Sequence, residues 1–132
     1  MKKDRKNPLV KSFGYAFEGI WACIRKERNM KIHCLAVILV TLTGTLLQIS
    51  ASEWCVCLLL FALVASLELV NTAVEAVVDL VTEEKKPLAK LAKDTAAGAV
   101  LFSAIVSVII GCIIFLPYLL ELAEKLLYNS RV

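Results

Sequence analysis

Apolar residues along this chain gather into three long runs and one shorter, interrupted stretch. The first run, Ile32 to Ile49, holds no formal charge and has His33 at its mouth. The second, Trp54 to Val81, is uncharged for its first fourteen residues and then carries Glu68, Asn71, Glu75 and Asp79. The third, Ala96 to Leu120, is uncharged throughout. A bilayer-spanning helix needs about 20 residues at about 1.5 Å rise each, so each run predicts a span. The stretch before them, Leu9 to Arg28, differs in kind. Phe13, Phe17, Ile20, Trp21 and Ile24 recur at helical spacing, with Lys11, Ser12, Glu18 and Arg25 on the other side. Charge interrupts it too often for a span, and it reads as an amphipathic helix lying in the membrane interface. The expected fold is all-α and integral to the membrane: three transmembrane helices plus an N-terminal amphipathic surface helix, in one domain over residues 1–132. The surface helix is expected at about 9–28 and the spans at about 32–49, 54–81 and 96–120.

Composition agrees. Hydrophobic residues make up 59% of the chain and charged residues 20%, against roughly 45–50% and about 25% in a soluble domain. A soluble domain and a disordered chain are both excluded. The basic start is not followed by a short apolar core and a small-residue cleavage site, so the first span serves as its own insertion signal.

The net charge of +3 conceals a lopsided distribution. Nine basic residues precede the first span: Lys2, Lys3, Arg5, Lys6, Lys11, Arg25, Lys26, Arg28 and Lys31. The connector Ser50 to Glu53 has none, the second connector has Lys85, Lys86, Lys90 and Lys93, and the tail has Lys125 and Arg131. Cytoplasmic loops carry the Lys/Arg excess. The N-terminus and second loop are therefore expected in the cytoplasm, with the short loop and C-terminus outside a plasma (inner) membrane. Pro87 suits the first turn of a helix, where its missing N–H costs nothing. The third helix is thus expected to begin near it, with Lys93 and Asp94 at the cytoplasmic interface. Ser103, Ser107 and Gly111 fall at four-residue intervals, a small-residue stripe suited to helix packing.

Several chemistries are missing. Cys23, Cys34, Cys55, Cys57 and Cys112 form no C-x-x-C and no zinc spacing, and read as small apolar fillers. Neither G-x-x-x-x-G-K-[ST] nor G-x-G-x-x-G occurs, nor any protein-kinase signature, so a nucleotide would be bound by another route. No nucleic-acid partner is expected.

The chemistry that is present sits on span two. Glu68, Asn71, Glu75 and Asp79 are spaced by 3, 4 and 4 residues, which puts them on one helical stripe. An acidic residue at the centre of a lipid-embedded helix costs about 3 kcal/mol, and such groups face a bundle interior or a wet cavity. Counted from Trp54 at about 1.5 Å per residue, Glu68 lies about 21 Å and Glu75 about 32 Å from the outer surface. In a core about 30 Å thick, the stripe runs from beneath the inner headgroups into the cytoplasm. Lys93 and Asp94 fall at the same depth, as do Glu27, Arg28, Asn29 and Lys31, where the surface helix meets the first span. Carboxylates and a lysine at one depth suit Mg²⁺ carrying phosphates, since that ion takes one or two carboxylates plus substrate oxygens. For Asp79 and Lys31, close enough to water to snorkel, the competing reading is a charge network that anchors helix ends.

The run E-L-V-N-T-A-V-E-A-V-V-D from Glu68, followed by a short basic loop and Ala92-Lys93-Asp94, resembles the prokaryotic diacylglycerol kinase family. The upstream A-F-E-G-I-W from Ala16 and E-R-N-M-K-I-H from Glu27 resemble its Gram-positive branch, whose members are similar to undecaprenol kinases. The resemblance covers about Lys11 to Gly111. It implies a homotrimer of three-span subunits with surface helices and ATP sites between neighbouring chains. It also implies Glu68 as general base on a lipid hydroxyl, and Glu27 and Glu75 as Mg²⁺ ligands. Asn71, Lys93 and Asp94 would line the site and contact nucleotide or hold the catalytic groups. Two positions depart from the enterobacterial branch: Pro8 stands where that branch has a basic residue, with Lys11 close by, and Ala97 where it has a serine near the lipid hydroxyl. Both fit a different lipid. The expected activity is ATP- and Mg²⁺-dependent phosphorylation of a membrane lipid alcohol, undecaprenol first and diacylglycerol second. A small proton-coupled exporter is the competing class, and it accounts less well for acids clustered with basic residues near one face.

Overall fold

The computed structural model describes residues 8–129. It consists of α1 (Pro8–Lys26), α2 (Arg28–Leu47), α3 (Ala51–Val81) and α4 (Pro87–Asn129), with no strand among the described residues. Of the basic residues that set the expected topology, Lys2, Lys3, Arg5, Lys6 and Arg131 lie outside this range. Helices α2, α3 and α4 are each long and apolar enough to cross a membrane. The protein is an all-helical membrane protein with three such helices preceded by a fourth, amphipathic one. Helix α4 begins at Pro87, as its sequence predicts, but its 43 residues outlast the apolar run at both ends. At about 1.5 Å per residue it is about 65 Å long, roughly twice the hydrocarbon thickness.

The α2–α3 hairpin is built from local rules. Gln48 takes the left-handed conformation (φ 54°) after α2. The Ile49 N–H then donates to Gly44 O at 3.1 Å and the Gln48 N–H to Thr45 O at 3.4 Å, a Schellman closure of the last turn. Two residues later Ser50 opens α3 with a capping box. Its hydroxyl accepts from the Glu53 N–H at 3.3 Å, while its own N–H donates to Glu53 Oε2 at 2.7 Å. A cap of this kind contributes about 1 kcal/mol. The Tyr118 hydroxyl on α4 donates to the same carboxylate oxygen at 2.8 Å. Beneath this turn Ile49, Cys57 and Ile114 form a buried cluster with Trp54, Phe61 and Tyr118 packed against it. Gly44 lies directly under Trp54: a Cβ there would stand 3.0 Å from two indole ring atoms and from Ile49 Cδ1.

Helix α3 packs most extensively on α4. Cys57, Val64, Glu68 and Asn71 are its buried positions, and they meet Val100, Ser103 and Ile114. The small-residue stripe of α4 takes part unevenly. The Ser103 and Ser107 hydroxyls donate to their own helix at Val100 O and Ser103 O, both at 2.8 Å, and so present compact, self-satisfied surfaces. Nothing lies within 4 Å of where a Gly111 Cβ would be, so within one chain that position is open.

The break between α1 and α2 falls at Glu27, whose extended backbone (φ −86°, ψ 127°) starts α2. Helix α1 is fastened at Cys23, buried with its Sγ 3.2 Å from Thr72 Oγ1 on α3. Thr72 spends its single hydroxyl proton on Glu68 O at 3.0 Å, so the thiol is the donor of the Cys23–Thr72 bond. Phe13, Phe17 and Trp21 remain 60–69% exposed, an apolar side uncovered within one chain.

Candidate active site

Helical spacing predicts that residues 68, 71 and 75 share a face, and α3 turns that face inward. Glu68 is 1% exposed and Asn71 4%. The Asn71 amide Nδ2 donates to Glu75 Oε1 at 3.0 Å, one turn on, which fixes the amide and leaves its carbonyl oxygen facing the other way. Four buried side-chain atoms among the described residues lack a hydrogen-bond partner: both oxygens of Glu68, Asn71 Oδ1 and His33 Nε2. A buried polar atom left unpaired costs about 1–3 kcal/mol, and native proteins keep few of them.

These atoms belong to one place. Glu68, Asn71, His33 and Asn29 contribute the polar lining of a pocket of about 190 Å³, and Ile32, Ala97, Val100, Leu101 and Ala104 form its apolar wall. Three helices build it: the first turns of α2, the middle of α3 and the first half of α4. Glu27, at the α1–α2 break, has its carboxylate 3.8 Å from Lys26 Nζ and its side chain 20% exposed. Glu75 stands two turns from Glu68 on the same face of α3. One chain thus gathers Glu68, Asn71 and Glu75 on one face of α3, while Glu27 starts the helix, α2, that carries Asn29 and His33 into the pocket.

Lys93 and Asp94 go elsewhere. Lys93 pairs with Asp79 across the α3–α4 boundary, and Asp94 with Lys90 on its own helix. Neither lines the pocket within a single chain. Asp79, on the same sequence stripe as Glu68, is exposed and paired with Lys93, the contact that the competing anchor reading describes. His33 and Asn29 are pocket residues to which the sequence reading gave no role. Asn29, Ile32 and His33 stand at i, i+3 and i+4 on α2, the spacing of one helical face, and that spacing is a readable signal.

The geometry is that of an acid sunk beside an apolar wall between three helices, and comparison of the sequence with known proteins gives its kin. The sequence profile described as prokaryotic diacylglycerol kinase matches residues 14–115, a segment that contains every pocket residue and the whole acidic stripe. The chain belongs to the prokaryotic diacylglycerol kinase family. Among the curated members of that family it is 49% identical over 120 residues to an undecaprenol kinase of Bacillus subtilis, covering 89% of this chain and 98% of that one. It is 45% identical over 115 residues to a diacylglycerol kinase of Synechocystis, covering 86% and 66%. A diacylglycerol kinase of Escherichia coli is 33% identical over 106 residues, covering 80% and 87%. All three are kinases. As a member of this family the chain is a membrane-embedded lipid kinase, and kinase chemistry implies ATP as phosphate donor.

Proposed function

We propose that this chain phosphorylates undecaprenol at the inner face of the plasma membrane, with Glu68 as the general base. The observation that carries the reading is the Glu68 carboxylate itself, sealed from solvent with both oxygens unpartnered at the end of an apolar-walled pocket. A carboxylate so placed is ready to accept a proton from an alcohol brought by the bilayer. In the reaction the lipid oxygen forms a bond to the γ-phosphorus and the bond from that phosphorus to the β–γ bridging oxygen breaks. The hydroxyl proton passes to Glu68, and the bridging oxygen's electron pair leaves with ADP. Phosphoryl transfer needs position and charge stabilisation from the protein more than covalent chemistry. Asn71 serves by bridging from the pocket to Glu75.

No group of three or more His, Cys, Asp or Glu side chains able to hold a metal occurs among the described residues. Glu27 and Glu75 offer the kind of donors taken by an ion held by one or two carboxylates and by phosphate oxygens, the manner in which Mg²⁺ is bound. They are the residues that would hold Mg²⁺. When bound, the ion neutralises phosphate charge.

Lys93 and Asp94, turned from the pocket of their own chain, suit a nucleotide site completed by a neighbouring subunit, and the open position at Gly111 leaves room for one. Both support assembly with a neighbouring chain, and the family resemblance makes that assembly a homotrimer. The basic excess before α2 and between α3 and α4 supports a cytoplasmic N-terminus and an external C-terminus. Undecaprenol is preferred on the 49% identity to an undecaprenol kinase; the diacylglycerol kinases among the relatives make diacylglycerol the second reading.

The deciding experiment offers the purified protein undecaprenol and diacylglycerol in separate mixed-micelle reactions with Mg²⁺ and γ-labelled ATP. Label is expected in undecaprenol at the higher kcat/KM. Label in neither lipid ends the kinase reading, and preference for diacylglycerol reverses the acceptor.

A further inference from the structure

The four orphaned atoms of the pocket are not alike. Glu68 Oε1, Glu68 Oε2 and Asn71 Oδ1 are acceptors, whereas His33 Nε2 can donate. An alcohol brings one proton to give and two lone pairs to be satisfied. The carboxylate answers the proton. It does nothing for the lone pairs, and a hydroxyl oxygen drawn out of the headgroup region into an apolar-walled pocket needs a donor. The wall residues Ile32, Ala97 and Val100 have no polar side-chain group to offer, the Asn71 amide is engaged with Glu75, and Asn29 is exposed, so His33 Nε2 is the buried, unpartnered donor among the described pocket residues.

We propose that His33 is the second hydroxyl-binding group of this pocket: neutral, with its proton on Nε2, it donates to the acceptor lipid's oxygen while Glu68 takes the hydrogen bond of the same hydroxyl. The inference rests on the lipid-kinase reading and adds to it the group that orients the attacking oxygen. With one lone pair held by His33 and the proton held by Glu68, the remaining lone pair is aimed at the incoming phosphoryl group. His33 keeps its proton throughout. A purely structural histidine would have found an acceptor inside the fold, whereas this Nε2 is buried without one. Its place in the first turns of α2 is also apt: Ile32 beside it and Asn29 one turn before it line the same pocket, so α2 delivers wall and donor together.

The test uses the full chain in mixed micelles with undecaprenol, with two probes that separate the hydroxyl's two roles. Undecaprenyl methyl ether keeps an oxygen that accepts from His33 but has no proton for Glu68, and the matching hydrocarbon without oxygen has neither. In the wild type the ether is expected to inhibit about tenfold more tightly than the hydrocarbon, the size of one buried hydrogen bond. In His33→Leu the two inhibit equally, kcat/KM for undecaprenol falls about tenfold or more, and KM for ATP stays put. His33→Gln, which restores an N–H donor at similar reach, is expected to recover kcat/KM to within about threefold of wild type. Equal inhibition by ether and hydrocarbon in the wild type overturns the role of His33 and needs no variant to fold. So does a His33→Leu protein whose loss lies in the KM for ATP. In either case the wild type still labels lipid and the kinase reading stands. If the wild type labels neither undecaprenol nor diacylglycerol, the kinase reading falls and the role of His33 falls with it.

Discussion

The two ends of the α3–α4 pair are made of similar residue types and finished in opposite ways. At the hairpin end, Glu53 receives hydrogen bonds from the Ser50 N–H, the Ser50 hydroxyl and the Tyr118 hydroxyl, each at 2.7–2.8 Å. Beneath it Trp54, Phe61 and Tyr118 pack on the buried Ile49, Cys57 and Ile114. At the acidic end another glutamate, Glu68, is buried more deeply and receives nothing. The first glutamate is surrounded by donors. The second has none, and the stability that such partners would have supplied is forgone, as the general-base role proposed for Glu68 requires.

The contrast can be broken by substitution, and the largest effect is expected at Glu68. Glu68→Gln should lower kcat by about 10²–10⁴, the contribution of a general base, with KM for Mg·ATP nearly unchanged; initial rates with labelled ATP check both. A matching loss of nucleotide affinity would make Glu68 a ligand. Glu75→Gln should act next, raising KM for Mg·ATP about tenfold or more through the loss of a charged ligand, and a titration of Mg²⁺ at fixed ATP reads it. An unchanged metal requirement would remove Glu75 from the ion's coordination shell.

At the hairpin end the same scale should register in stability alone. Gly44→Leu forces a side chain into space where even a Cβ sits 3.0 Å from Trp54. It should destabilise by about 1–3 kcal/mol as overpacking does, seen as a lower Tm in micelles, with specific activity of the folded fraction preserved. Tyr118→Phe, the mildest, removes one hydrogen bond to Glu53 and should lower stability by about 1 kcal/mol with kcat/KM unaltered.

Much of this was legible in the residues because the bilayer reduces the problem to length and hydropathy. Each of the three long apolar runs became a helix, Pro87 marked a helix start, and the 68–71–75 spacing placed one face of α3 inward. What stayed hidden depended on rotation and packing. Lys93 and Asp94 are neighbours in sequence, but successive residues on a helix point about 100° apart, so one reaches α3 and the other stays on α4. The Asn29–Ile32–His33 spacing marks a face of α2 but not its neighbour, and only packing shows that this face turns toward Glu68, so His33 read as a residue at the mouth of a span. Gly44 carries no hint of the indole above it, because that contact is made only once the Schellman turn has folded Trp54 back over α2.

The single carboxylate oxygen shared by the start of α3 and by Tyr118 pins three pieces of chain at one atom: the turn after α2, the first turn of α3 and the second half of α4. At the other end the same two helices are tied a second time, by Lys93 and Asp79. A helix pair fastened at both ends holds the face between them in register, and Glu68 lies on that face.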